Sequence, residues 1–238
     1  PTLFPSFRGG QNWIGGTTPG NARFDPPPED EMEIAIGALE KFMHDESDLL
    51  PHLVRCALIH YQFETIHPFN DGNGRIGRLL ITYYLVWKGV LDEPMLYLSA
   101  YLKAYQQEYY DRLMQVRNSG NYEAWIDFFL EGIITVSKQV VQTTKKIQQL
   151  EREDTNRLLA EGVGHVGSVL MQIILTQPVV YVNDLKEKLS VSYGTANKLV
   201  AKAEDLGILK QLGSGKRNRK YVYKKYVEIL SEGTELNL

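Results

Sequence analysis

Twelve consecutive residues, HPFNDGNGRIGR at 67–78, bring together a histidine, an acid, a Gly-Asn-Gly turn and two arginines. These residue types suit phosphate chemistry. Gly72, Asn73 and Gly74 let backbone N–H groups turn inward together, and a helix starting there adds a partial positive charge, so the three form an anion cradle. Arg75 and Arg78 are three apart on that helix and project from one face above the cradle. Their guanidinium forks match phosphate oxygens, and the Asn73 amide can donate to a phosphate as well. Asp71 is acceptor-only and placed to hold a Mg²⁺ that bridges phosphates. His67 can accept a proton from an attacking hydroxyl. Pro68 stiffens the chain after it, and Phe69 reads as a buried anchor. Each part also has a plainer reading, because a histidine before proline is usually packed or solvated and DGNG is more often a simple turn. Two arginines in a first helical turn oppose the dipole, however. With glycines and an acid beside them, they call for an anion.

The elements around the motif must hold it in place. Residues 1–28 are rich in Gly and Pro, and NWI and ARF flank a GGTTPGN cluster that reads as a hairpin or extended flap. After Pro26–Pro28, acids at Glu29, Asp30 and Glu31 favour a helix start, and Met32, Ile36, Leu39 and Met43 give that helix an apolar face. A second helix runs from Pro51 to about Thr65, with Val54, Leu58 and Tyr61 on one side. RIGRLLITYYLVWKG reads as a third, closed by Gly89 and apolar nearly all round, which predicts it at the centre of the domain. SAYLKAYQQEYYDRLMQVRNSG continues with Ser99 as cap and a Tyr101, Tyr105, Tyr109 row. Asn121 caps a long helix over about 122–160, core-like at WIDFFLEGIITV and a solvated spoke at KKIQQLEREDTNR.

From Gly164 the pattern changes. SVLMQIILTQ reads as a helix, VVYVNDLKEKL as a second capped by Asn183 or Asp184, and SYGTANKLVAKAEDLG as a third from Ser192 to Gly207. Two strands follow, joined by a basic turn. This order resembles a winged helix-turn-helix. Charge divides the same way: residues 165–230 carry eleven Lys/Arg against five Asp/Glu, a balance of +6 within a chain of net charge −3. Two regions of opposite sign suggest two modules with different partners. Tyr193, Thr195, Asn197, Lys198 and Lys202 are candidates for a DNA or protein surface, as are Lys216, Arg217, Arg219 and Lys220 in the wing. The single cysteine, Cys56, excludes an internal disulfide framework and fits a reducing compartment. No apolar run reaches the roughly 20 residues of a membrane span, so a cytoplasmic protein without membrane partners is expected.

HPFNDGNGRIGR resembles, without departure, the Fic family signature HPF-x-[DE]-GNGR-x-x-R, and NWIGGTTPGNARFDPPP looks like that family's flap. The resemblance implies a mainly α fold: a Fic-type helical core over 1–160 with an N-terminal β-hairpin flap (about 11–28), followed by a small winged helix-turn-helix domain over 164–230. It implies transfer of AMP from ATP to a Ser, Thr or Tyr hydroxyl of a target protein, with Mg²⁺. His67 would be the general base and Asp71 the metal ligand. Gly72, Asn73 and Gly74 would bind the phosphate under attack, and Arg75 and Arg78 the outer phosphates. Ile14, Gly15, Gly16 and Thr17 are candidate flap contacts. The phosphorylating Doc branch carries lysine where this chain has Gly74, which argues against kinase activity. The family's inhibitory motif [ST]-x-x-x-E-[GN] does not occur in this sequence, and an inhibitory helix is expected upstream of Pro1. Alternatives are a DNA-binding regulator with a nucleotide-sensing core, a different phosphate-bearing donor, or removal of AMP; a homo-oligomer is compatible with any of these.

Overall fold

The computed structural model describes residues 6–47, 49–94, 96–215 and 218–232. The chain is mainly helical and divides into two compact units, 1–137 and 138–238.

In the first unit, α1 (Glu29–His44) opens with three acids in its first turn and buries Met32 and Leu39. Helix α2 (His52–Ile66) buries residues on every side, among them Cys56, Ile59, His60, Phe63, Glu64 and Ile66. It packs against both α1 and α3 (Asn73–Trp87). The centre of this unit is therefore α2, and the expectation for α3 is corrected. Helix α3 buries Asn73, Gly77, Ile81 and Leu85, four apart along one line, while Leu79, Tyr83 and Trp87, also four apart, are 66%, 61% and 40% exposed. An apolar composition concealed two faces.

The tyrosine-rich stretch forms two helices, α4 (Leu98–Ala104) and α5 (Gln106–Ser119), broken at Tyr105. Tyr97, not Ser99, precedes the first of them. Helix α6 (Tyr122–Ala160) starts where expected, with Asn121 Oδ1 accepting the Ala124 N–H at 3.2 Å, and the division between units falls inside it. Trp125, Phe128, Phe129, Ile133 and Val136 are buried. The flap is not a pair of strands. One antiparallel bridge, Ile14 to Phe24, closes over a 3₁₀ turn at Pro19–Asn21. Gly15 and Gly16 lie at φ +69° and +81°, which coils the segment too tightly for a ladder.

The second unit holds α7 (Gly164–Thr176), β1 (Val179–Tyr181), α8 (Val182–Lys188), α9 (Tyr193–Asp205), β2 (Lys210–Leu212), β3 (Lys220–Val222) and α10 (Lys224–Glu232). The sheet order is β1-β3-β2, antiparallel throughout. VVY is strand rather than helix, as its two valines after Pro178 allow, and α8 starts after Tyr181 rather than at Asn183 or Asp184. Ser192 caps α9 by accepting the Thr195 N–H at 3.1 Å, and Gly207 ends it at φ +66°. The polar half of α6 is not a bare spoke: Leu150, Asp154 and Leu158, four apart, are buried, and Tyr223 donates its hydroxyl to Asp154 at 2.9 Å. Among the described residues no helix is long and apolar enough to cross a membrane.

Candidate functional site

The signature occupies the junction between α2 and α3. Helix α2 stops at Ile66 because His67 turns left-handed, at φ 50° and ψ 59°, while its N–H still bonds to the Phe63 carbonyl at 3.0 Å. A side chain in that conformation is strained by roughly 1–2 kcal/mol, so the surroundings must impose it. They do so through the backbone. The His67 carbonyl accepts from Arg8 Nε at 3.2 Å and Asn12 Nδ2 at 3.3 Å, and the Pro68 carbonyl accepts the Arg8 N–H at 2.9 Å. Arg8, only 1% exposed, also donates to the carbonyls of Gly10 and Pro27. One buried guanidinium thus joins both ends of the flap to the loop.

Asn73 has a different place from the one its amide suggested. The side chain is 1% exposed and clasps Phe69, donating to its carbonyl at 2.7 Å and accepting its N–H at 2.9 Å. The amide holds the loop closed, leaving the Asn73 backbone N–H for the cradle. Gly72 supplies the left-handed entry at φ 86°, its carbonyl accepting the N–H groups of Arg75 and Ile76. The N–H groups of Asn73 and Gly74 open the helix and have no intrahelical acceptor. Arg75 and Asp71 pair at 3.1 Å, but at 74% and 93% exposure that contact contributes little and yields readily to a ligand. Arg78 lies across Gly74, where an added Cβ would stand 3.1 Å from its Nη1. Arg75 and Arg78 also line a cleft of about 400 Å³ with Leu79, Thr82 and Tyr97. A larger apolar groove of about 520 Å³, between α1, α2 and the start of α6, does not include the signature.

Electrostatics favour a neutral imidazole. His67 is half-buried, and burial lowers its pKa first; the cations Arg117 and Arg8 lower it further, against the Glu64 carbonyl. Its neutral form therefore dominates at neutral pH. Of the buried side-chain polar atoms without a hydrogen-bond partner among the described residues, four cluster here: Asn12 Oδ1, Glu64 Oε1, His67 Nδ1 and Arg117 Nε. Native proteins rarely leave such atoms without partners, and these four belong to the flap, the loop and the helices beside it.

Ile14, Gly15, Gly16 and Thr17 all lie on the flap. The Thr17 and Thr18 N–H groups bond to Asn21 Oδ1 at 2.9 and 2.8 Å, and the bridge engages Ile14. Arg23 holds the flap to α5 by pairing with Asp111 and lying over Tyr110 at 5.3 Å. Arg117 lies over the Phe24 ring at 3.5 Å. Arg8, Glu64 and Arg117 were not singled out from the sequence. Arg117 has no local signal, and only the sum of FETIHPF places Glu64 one turn before His67.

The nominated residues of the second unit are a separate set. Tyr193, Thr195 and Lys198 are exposed on α9. Asn197 is bonded by Arg219, which also faces the Tyr221 ring; Lys220 faces Tyr181, and Lys202 bonds to Glu161. Lys216 and Arg217 lie outside the described residues. No group of three His, Cys, Asp or Glu that could hold a metal occurs among the described residues.

A left-handed histidine, a glycine-flanked helix start and two arginines thus meet at one helical junction. Residues 3–85 match the model of the Fic/DOC family. The protein adenylyltransferase Fic of Culex quinquefasciatus is 35% identical over 126 residues, 52% of this chain and 22% of that protein. The protein of the same name from Aedes aegypti is 33% identical over 126 residues, again 52% and 22%. The chain thus spans about a fifth of the length of these curated relatives. A crystal structure of a Fic family protein from Desulfovibrio desulfuricans G20 shares the fold at a TM-score of 0.54 and 22% identity, covering 93% of this chain and 64% of the other. The family match covers residues 3–85, and the solved structure shows the fold.

Proposed function

We propose that this chain transfers AMP from ATP to a hydroxyl side chain of a target protein, releasing pyrophosphate. The observation that carries this reading is a neutral, half-buried imidazole at the rim of an anion cradle flanked by two arginines. The adenylyltransferase names of its relatives favour AMP over another phosphate-bearing group. His67 takes the proton of the incoming Ser, Thr or Tyr hydroxyl. The freed oxygen bonds to the α-phosphorus as the bond to the β-phosphate oxygen breaks. The N–H groups of Asn73 and Gly74 stabilise charge on the α-phosphate oxygens, and Arg75 and Arg78 hold the departing pyrophosphate. Gly74 leaves room for the triphosphate.

Asp71, the exposed carboxylate of the loop, is a donor that fits Mg²⁺ bound mainly through substrate phosphates. Asp71 would hold it, and the ion would neutralise phosphate charge. Flap residues Ile14 to Thr17 would line the path of the target segment.

The test uses ATP labelled at the α- or the γ-phosphate, a lysate as target source and His67→Ala as control. Label retained only from the α-position and lost in the variant is expected. Label from the γ-position would show a kinase.

We propose further that residues 164–230 form a winged helix-turn-helix module, which the order helix, strand, helix, helix and two strands supports. Its candidate surface is the outer side of α9, where Tyr193, Thr195 and Lys198 are exposed. A DNA mobility shift that weakens steeply with salt and survives His67→Ala is the expected result for a DNA partner; its absence assigns the surface to protein.

A further inference from the structure

Glu64 is a buried carboxylate that the transfer chemistry does not use. It projects from α2, is 7% exposed, and its Oε1 has no hydrogen-bond partner. A Cβ at Gly77 would collide with that oxygen, so the carboxylate is pressed against the α3 backbone. A Cβ at Gly74 would stand 4.0 Å from the same oxygen and 3.1 Å from Arg78 Nη1. Glu64 and Arg78 therefore border one small volume, kept open by a glycine at the floor of the cradle.

The charged and titratable groups that face Glu64 are few. Among the described residues they are His60 from its own helix, Arg78 from α3, and Tyr109 and Arg117 from α5. His60 is engaged by the Gly77 carbonyl and the Tyr109 hydroxyl, both at 3.1 Å, and burial lowers its pKa to about 4, so it is neutral. Arg117 has its own acceptors, the Glu64 carbonyl and Thr65 Oγ1, both at 3.3 Å. Arg78 makes no hydrogen bond or ion pair among the described residues. The cation left to answer the carboxylate is Arg78.

We infer that Glu64 is a positioning residue for Arg78, drawing its guanidinium toward the cradle in the free protein and yielding it, with uptake of one proton from solvent, when a phosphate chain binds. Burial pushes the Glu64 pKa up to about 7, against the pull of Arg78 and Arg117, so the carboxyl can take up a proton near neutral pH. Arriving phosphate raises its proton affinity again, by adding like charge and by engaging Arg78. The carboxylate then becomes a neutral acid, and no buried anion is left facing the nucleotide.

This inference rests on the nucleotide reading, and the experiment separates the two. ATP binding is measured by calorimetry from pH 7.0 to 8.5 in buffers of different ionisation enthalpy. The protein is the His67→Ala variant, which neither turns over nor titrates at His67. Proton uptake is expected, with affinity falling up to about tenfold per pH unit as uptake approaches one proton. Adding Glu64→Gln should abolish the uptake and flatten the pH dependence while binding persists. Binding without uptake, or uptake unchanged by Glu64→Gln, overturns the role of Glu64. Absence of ATP binding in both proteins overturns the nucleotide reading itself and this inference with it. Should Glu64→Gln fail to fold, the uptake measured with Glu64 intact decides alone.

Discussion

Under the proposed function, His67→Ala is expected to lower the rate of AMP transfer by about 10²–10⁴, the range for loss of a placed general base, while ATP binding stays within a few-fold of the parent protein. The asymmetry follows from placement. The cradle is built from backbone and glycines, and Asn73 and Arg8 hold the loop independently of the imidazole. Alanine removes the proton acceptor without touching those bonds. A pH signature accompanies the loss. Because burial and two cations lower the His67 pKa, the imidazole stays neutral to a lower pH than an ordinary histidine of about 6.5. The acid limb of the rate profile should therefore fall below that value in the parent protein and be absent from the residual activity of the variant. Full activity in His67→Ala would remove it from the mechanism.

Trp125→Ala destabilises the protein by about 3–5 kcal/mol, the range for a large aromatic in a packed core. Trp125 is fully buried and donates its indole N–H to the Ala57 carbonyl at 2.9 Å. Its ring lies within 6.1 Å of His60, 5.9 Å of Tyr109 and 5.8 Å of Phe129. The loss is read as a lower denaturant midpoint. Because His60 links this cluster to Gly77 in the first turns of α3, the variant should also weaken ATP binding at temperatures where it remains folded. A loss below 1 kcal/mol would mean that the neighbouring rings close the space.

The loop was legible as a junction, because HPFNDGNGRIGR places glycines where one helix ends and the next begins. Helix ends with chemical marks were legible too, as at Asn121, Ser192 and Gly207. What stayed hidden depends on three-dimensional neighbours. The side chain of Asn73 turned to Phe69 because the loop folds back on itself, which no local pattern encodes. Arg8, Glu64 and Arg117 reach the site from elements far apart in sequence. The break at Tyr105 has no proline or glycine to announce it, and VVY became a strand because β3, forty residues on, offers it an edge. Composition misjudged α3 and the polar half of α6 for one reason: four-residue stripes decide burial, and averages conceal them.

The left-handed turn at His67 has a consequence for how such a chain can change over generations. Glycine would occupy that backbone position at lower conformational cost, so the most comfortable residue there is one that cannot accept a proton. Chemistry and folding pull on this position in opposite directions. If the proposed function holds, a descendant freed from the need to catalyse would gain stability by giving up its histidine first, keeping the cradle and the arginines as a site that grips nucleotide without turning it over.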